Sequence, residues 1–171
     1  STRPVEFEVR SPADAEGMFD VLTYQKGGAL LRMLEQYLTP EVFRQGVSHY
    51  LVQHSYGSTE TADLWDALEE VSGEPVREMM DSWIWQPGYP LVSAELRDGA
   101  LVLRQQRFSF EPSDDPTTWL IPVHLRIGER ESLVVLRDPV QAIELDATDV
   151  ATDVPIVVNA GGRGFYRVAY S

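Results

Sequence analysis

The sequence predicts an α+β protein of two domains, a helical, bundle-like half over residues 1–88 followed by an antiparallel, immunoglobulin-like β-sandwich over residues 89–171. In the first half, apolar residues recur with the three-and-four spacing of amphipathic helices. In the second half they alternate with polar residues, as in half-buried strands. The boundary falls at Pro87-Gly88-Tyr89-Pro90, because two prolines around a glycine end a helix.

The longest helical pattern covers residues 22–38. Its apolar residues are spaced at i, i+3, i+4, i+7 and i+8: Leu30, Met33, Leu34, Tyr37 and Leu38. Gly27 and Gly28 each cost roughly 1 kcal/mol relative to alanine in a helix, so we expect them to allow close packing against another element. Tyr24 places a phenol at the helix entrance. Lys26, the only lysine of the chain, could pair with an acidic group elsewhere, and a structural role is favoured.

Start and stop signals predict four shorter helices. Two begin with a capping hydroxyl followed by proline, at Ser11-Pro12 (ending near residue 19) and at Thr39-Pro40. A third is expected to be capped by Thr61 and closed by Gly73. The fourth begins at Pro75 and has a dense apolar face: Val76, Met79, Met80, Trp83 and Ile84.

The second half carries the signals of an antiparallel sandwich. Asp98-Gly99 between two alternating runs predicts a tight hairpin. Pro122 interrupts its run, so that strand is expected to lie at an edge or to carry a bulge. Residues 1–10 also alternate, although a strand there has no partner nearby in sequence. The signals predict about seven short strands in this half: Leu91–Arg97, Ala100–Phe108, Trp119–Ile127, Glu131–Leu136, Gln141–Asp146, Pro155–Asn159 and Gly164–Tyr170.

Composition argues against several classes of function. The formal net charge of −13 disfavours nucleic acid, whose phosphates require clustered Lys and Arg. An acidic surface favours solubility and can also attract the positively charged amino terminus of a peptide. No apolar run approaches the ~18 residues of a membrane span. The absence of cysteine excludes disulfides, thiolate metal sites and cysteine nucleophiles. The compartment stays open, with the cytoplasm favoured.

The histidine spacing does not predict a metal site. His49 and His54 are five residues apart, so they do not share a helix face as the i, i+4 pair of a helical zinc motif does. No glutamate lies between them to act as a general base. We interpret both as surface or partly buried side chains.

Five segments follow one another in the order of a known family. They are Thr23-Tyr24-Gln25-Lys26-Gly27-Gly28, His54-Ser55-Tyr56-Gly57, Thr61-Ala62-Asp63-Leu64-Trp65, Trp83-Ile84-Trp85-Gln86-Pro87-Gly88-Tyr89-Pro90 and Gly164-Phe165-Tyr166-Arg167-Val168-Ala169-Tyr170. Together they resemble the zinc aminopeptidases related to aminopeptidase N. The first is similar to the Tyr-x-Lys-Gly segment of that family, and the last is similar to the end of its β-domain. The family's zinc motif, H-E-x-x-H with a further Glu, is absent from the sequence.

The resemblance implies the C-terminal part of a peptidase catalytic domain followed by a sandwich domain. The parent enzyme would use zinc to remove amino-terminal residues from peptide substrates, and its zinc ligands and general base are expected upstream of Ser1, in the missing half of the catalytic domain. This chain alone is expected to bind no zinc and to be inactive. The resemblance assigns to Tyr24 the stabilisation of the oxyanion, because a phenol with a pKa near ~10 stays protonated at neutral pH. The arginine-rich, lysine-poor composition suggests a bacterial source.

Two alternatives stay open. Judged without the resemblance, Tyr24 more simply anchors the helix start through its hydroxyl. The chain as a whole could also be a non-catalytic peptide- or protein-binding module derived from this family. A fragment is expected to expose an apolar surface larger than the few hundred Å2 normal for monomers. A natural module is expected to be polar on that side.

Overall fold

The computed structural model describes residues 3–8, 10–11, 14, 21–111, 114–146 and 154–171. Within these residues the protein is α+β, with helices in the first half and strands in the second. It divides into two compact units, Arg3–Gln86 and Pro87–Ser171. The division falls at the first residue of the Pro-Gly-Tyr-Pro segment that the sequence marks. The assignment of residues 1–88 and 89–171 to a peptidase domain and a sandwich domain stays a prediction.

The first unit contains four α-helices among the described residues. They are α1 (Val21–Leu38), α2 (Pro40–Gln53), α3 (Thr61–Ser72) and α4 (Val76–Ile84). Each was expected from the sequence, whereas the helix predicted from Ser11 to about residue 19 falls largely outside the described residues. No helix in the described part of the chain combines the length and the apolar character that crossing a bilayer requires.

The core of this unit is formed by the apolar faces of its helices. All five residues of the predicted α4 face are buried, and four of the five in the α1 stripe are buried as well, with Tyr37 half-buried. The third helix adds Trp65, Ala67 and Leu68. The expected apolar faces of α1 and α4 are therefore confirmed.

The helix termini agree with the predictions in part. Gly73 ends α3 in the left-handed conformation, with φ of 72°, as expected. The N-cap of α3 is Glu60 rather than Thr61, because Glu60 and Asp63 form a reciprocal capping box. Thr39 precedes α2 but makes no capping hydrogen bond through its side chain.

Among the described residues, no unusually close packing occurs at Gly27 and Gly28. A Cβ atom added at Gly27 would make an ordinary contact with Val5 Cγ1 at 3.7 Å, and one at Gly28 would meet no atom of the described residues within 4 Å. The close approach occurs instead at Gly46 in α2, which the sequence does not single out. There an added Cβ would lie 2.5 Å from the Leu68 side chain of α3.

The second unit contains seven strands among its described residues. They are β1 (Pro90–Arg97), β2 (Ala100–Arg107), β3 (Ile121–Ile127), β4 (Arg130–Leu136), β5 (Val140–Glu144), β6 (Ile156–Val158) and β7 (Arg167–Tyr170). They form a four-stranded sheet in the order β5-β2-β1-β7 and a three-stranded sheet in the order β4-β3-β6. The pairing is antiparallel except between β1 and β7, which are parallel, so the expectation of a wholly antiparallel fold is corrected. The stacking of these sheets as an immunoglobulin-like sandwich stays a prediction.

The hairpin signal in the second unit agrees with the structure, whereas the expectation for the strand that carries Pro122 does not. Asp98 and Gly99 both have positive φ, 51° and 82°, as a tight hairpin requires. The expectation that Pro122 marks an edge strand or a bulge is wrong, because β3 is the middle strand of its sheet and pairs with β4 in unbroken register from Ile121 to Ile127. The proline is tolerated there because β6 pairs with β3 only from Leu125 to Ile127, so Pro122 lacks a partner on the β6 side. At the N-terminus, the described residues 3–8 form no strand.

Candidate functional site

Tyr24, the predicted catalytic residue, lies in the first turn of α1 as the structure defines that helix. Its side chain is 65% exposed. Among the described residues, no hydrogen bond involves its hydroxyl. The alternative in which Tyr24 anchors the helix start through that hydroxyl therefore finds no supporting contact there.

Tyr24 belongs to an exposed face of α1, which we call the outer face. It comprises Val21, Tyr24, Gly28 and Leu31, spaced at i, i+3, i+7 and i+10. Val21 is 67% exposed and Leu31 is 37% exposed. Val21 and Tyr24 thus face solvent along one side of this helix, whereas Leu31 is only partly exposed and also borders a cavity together with Leu30.

The opposite side of α1, which we call the inner face, is tied to the rest of the first unit. It comprises Thr23, Lys26, Gly27 and Leu30, at i, i+3, i+4 and i+7. The Thr23 hydroxyl accepts a hydrogen bond from the Arg3 guanidinium at 3.2 Å. The Lys26 ammonium donates to the Gln86 carbonyl at 2.7 Å. The sequence suggested an acidic partner for Lys26, whereas this contact is to a backbone carbonyl.

The inner face meets the C-terminal end of α4, where helix carbonyls need partners from outside the helix. The backbone N–H groups of Val5 and Glu6 both donate to the Ile84 carbonyl, at 2.8 and 3.0 Å. The side-chain amide of Gln86 donates to the Ser82 carbonyl at 2.7 Å. The N-terminal segment, α1 and the end of α4 are thereby joined by hydrogen bonds.

The described residues of the first unit line cavities of different character. One, of about 310 Å3, is bounded by apolar side chains that include Leu30, Leu64 and Met80. Another, of about 450 Å3, is lined by more polar groups that include Glu60 and Asp81. Tyr24 lines neither cavity. Its side chain instead lies on an open helix face.

The described residues do not fit a zinc ion. Among them, no group of three or more His, Asp or Glu side chains lies close enough together to hold a metal. His49 Nε2 lies 2.8 Å from a Glu70 oxygen, and this hydrogen bond lowers the pKa of the Glu70 carboxyl. The His54 ring lies against Tyr50, with 5.3 Å between ring centroids. These two histidines thus have different neighbours and do not converge.

The third histidine is buried in the second unit and was not singled out from the sequence. His124, on β3, is 7% exposed. Its Nδ1 lies 3.5 Å from an Arg163 nitrogen, and the same guanidinium lies 3.3 Å from a Glu131 oxygen. Burial, followed by the charge of Arg163, lowers the pKa of His124. A neutral imidazole between strand and loop fits a structural role in this unit.

Residues 1–83 match the peptidase family M1 domain. Aminopeptidase M1 of Arabidopsis thaliana is 39% identical over 182 aligned residues, covering 99% of this chain and 21% of that protein. Aminopeptidase A of Gloydius brevicauda is 37% identical, covering 99% of this chain and 18% of that protein. Tricorn protease-interacting factor F2 of Thermoplasma volcanium is 35% identical, covering 99% of this chain and 20% of that protein. The chain thus spans about a fifth of the length of these curated relatives.

Proposed function

Because the chain belongs to peptidase family M1, of the aminopeptidase N type, we propose that it is part of a zinc-dependent aminopeptidase. In that enzyme it supplies Tyr24 as the group that stabilises the oxyanion during hydrolysis of the amino-terminal peptide bond. The observation that carries the proposal is the exposure of Tyr24 on the outer face of α1, with no hydrogen bond to its hydroxyl from the described residues.

The chemistry of the phenol fits this role. When water attacks a peptide carbonyl, the carbonyl oxygen gains negative charge in the tetrahedral intermediate, and a hydrogen-bond donor aimed at that oxygen lowers the barrier. A tyrosine hydroxyl can donate without carrying a positive charge, so it does not repel the substrate's amino terminus. A hydroxyl already committed to an internal acceptor would be less available for this purpose. An exposed one can donate to a substrate.

The metal site is proposed to lie outside this chain. The described residues offer no converging set of zinc ligands, and the family's H-E-x-x-H motif is absent from the sequence. We therefore assign the zinc ligands and the general base to other parts of the parent protein. On this assignment the chain alone is inactive, and a substrate site forms only when those parts are present.

The outer face of α1 supports this arrangement. Val21 and Leu31 flank Tyr24 on the same side of the helix and are both exposed. Apolar side chains beside a candidate catalytic phenol fit a face that borders another part of the catalytic domain. A wholly polar face would have favoured the alternative of a non-catalytic module.

The experiment is a Tyr24→Phe substitution in the complete aminopeptidase that contains this chain. Loss of one oxyanion donor is expected to lower kcat by about 100-fold or more, with a modest change in KM. Tyr56→Phe is the matched control, because Tyr56 is a fully exposed tyrosine of the same unit outside α1. If Tyr24→Phe leaves kcat unchanged, Tyr24 has no part in the mechanism and the alternative of a peptide- or protein-binding module gains weight.

A further inference from the structure

We propose that Lys26 is a positioning residue for Tyr24. Its ammonium, bound to the Gln86 carbonyl, fixes the turn of α1 that carries Tyr24 and so sets where the phenol hydroxyl lies. This inference rests on the proposed function of Tyr24. It adds a residue whose contribution passes through the backbone rather than through contact with substrate.

The helix geometry separates the two side chains. Residues two apart on an α-helix point to different sides, so Lys26 lies on the inner face while Tyr24 lies on the outer face. Lys26 is half-buried and its Nζ lies 2.7 Å from the Gln86 carbonyl oxygen. In this conformation Lys26 does not share the surface that presents Tyr24. What the two residues share is one helical turn.

That turn is intrinsically weak and needs support. Gly27 and Gly28 follow directly, and glycine is among the poorest helix formers because it loses the most backbone freedom on folding. No atom of the described residues lies within 4 Å of a Cβ added at Gly28, so these residues give it little packing support. The turn is instead tied from its inner side, by the Arg3 contact to Thr23 and the Lys26 contact to Gln86. Without these ties we expect the first turns of α1 to fray.

The acceptor of the Lys26 contact is itself well fixed. Gln86 follows the end of α4, where the helix dipole places partial negative charge, and α4 has no basic residue in its own last turn. An ammonium group from α1 therefore complements that charge. The Gln86 side chain is held at the same time by its hydrogen bond to the Ser82 carbonyl. Lys26 thus connects the helical turn that carries Tyr24 to the Gln86 backbone, which is itself held in place.

Catalytic positioning is sensitive to small displacements. An oxyanion donor acts when it lies about 2.7–3.1 Å from the developing charge. A misplacement of about 1 Å can cost on the order of 100-fold in rate. Loss of the Lys26 contact is therefore expected to lower kcat by roughly 10-fold to 100-fold and to leave KM nearly unchanged.

The test is a double-mutant cycle in the complete aminopeptidase that contains this chain. The variants are Lys26→Met, Tyr24→Phe and the two combined, with Lys26→Arg as the conservative variant. We expect Lys26→Met to lower kcat in the presence of Tyr24 and to cause no further loss in the Tyr24→Phe background. Lys26→Arg is expected to restore part of the rate, because a guanidinium can also donate to the Gln86 carbonyl. Arg44→Met, which removes an exposed ion pair with Glu41 on α2, is the control for loss of a cation.

The variants of the double-mutant cycle distinguish a failure of the proposed function from a failure of the positioning role. Unchanged kcat in Tyr24→Phe overturns the proposed function and the positioning role together. If Tyr24→Phe lowers kcat but Lys26→Met leaves kcat at the wild-type value, the positioning role of Lys26 is overturned and the proposed function of Tyr24 stands. Equal fold-losses for Lys26→Met in both backgrounds would mean that Lys26 acts independently of Tyr24, which also overturns the inference. Thermal unfolding of each variant, read beside the rates, separates loss of folded enzyme from loss of positioning.

Discussion

Gly46 on α2 lies so close to Leu68 on α3 that a methyl group added at Gly46 would be 2.5 Å from Leu68 Cδ2 and 3.1 Å from Leu68 Cα. The second of these distances is to backbone, which cannot move aside as the end of a side chain can. Gly46 is buried, and Leu68 is fully buried. This contact sets the separation of the two helices, because a residue larger than glycine does not fit between them.

Gly46→Ala is predicted to destabilise the first unit. Insertion of a methyl group into a packed contact typically costs about 1–3 kcal/mol, which here exceeds the gain of roughly 1 kcal/mol in helix propensity. Urea unfolding followed by circular dichroism measures the change in the free energy of unfolding. A variant as stable as wild type would mean that α2 and α3 can separate without loss.

Gly28→Ala is predicted to have the opposite effect. Gly28 is exposed within α1, and an added Cβ would meet no atom within 4 Å in the part of the chain that the structure describes. The same substitution should therefore raise the free energy of unfolding by about 0.5–1 kcal/mol, through helix propensity and a less flexible unfolded chain. The measurement is the same, with Gly46→Ala as the matched comparison. A destabilised Gly28→Ala would indicate a contact on the outer face that the structure does not show.

Gln105→Leu is predicted to destabilise the second unit. Gln105 is 6% exposed on β2, and its side chain accepts from the Trp119 amide at 2.8 Å and donates to the Trp119 carbonyl at 3.0 Å. Loss of a buried hydrogen-bond partner typically costs about 1–3 kcal/mol. The neighbouring Gln106→Leu is the control, because Gln106 is exposed on the same strand and should change stability by less than about 0.5 kcal/mol. Equal effects of the two substitutions would contradict the role assigned to the buried amide.

The stability of the second unit is predicted to fall as the pH falls below about 6.5, the ordinary pKa of histidine. Burial, followed by the charge of Arg163, lowers the pKa of His124 in the folded state. The unfolded chain therefore takes up a proton first, so the stability present above this pH is lost progressively towards the lower pKa of the folded state.

Urea unfolding midpoints test this dependence when they are measured between about pH 7.5 and about pH 5.5. This range covers about two pH units around the ordinary pKa of histidine. His124→Gln should reduce the slope of stability against pH, because glutamine does not titrate. His54→Gln, which alters a half-buried histidine of the other unit, should leave the slope of the second unit in place. An unchanged slope in His124→Gln would assign the dependence to other groups.

Local sequence patterns predicted the elements well because they depend on near neighbours. The apolar spacing of residues 76–84 identified a helix face that is wholly buried. The Asp98-Gly99 pair identified a hairpin whose two residues adopt the required positive φ. The cap of α3 was missed by one residue, because Glu60 and Thr61 can both accept hydrogen bonds at a helix start and only the observed capping box with Asp63 distinguishes them.

Long-range relationships could not be predicted in the same way. The parallel pairing of β7 with β1 joins the two ends of the second unit, and no local pattern specifies it. The close approach at Gly46 depends on where α3 passes, whereas the more conspicuous Gly27-Gly28 pair has room for side chains. A glycine in a sequence indicates that close packing is possible, and only the partner helix determines where it occurs.

The candidate site shows the same division. The position of Tyr24 near the start of an amphipathic helix follows from the amino-acid sequence, because the spacing of apolar residues and the order of family-like segments are local properties of the chain. The outward orientation of Tyr24 depends on long-range contacts. Thr23 and Lys26 are drawn inward by hydrogen bonds to Arg3 and Gln86, residues distant in sequence, and the helix orientation that satisfies both leaves the phenol exposed.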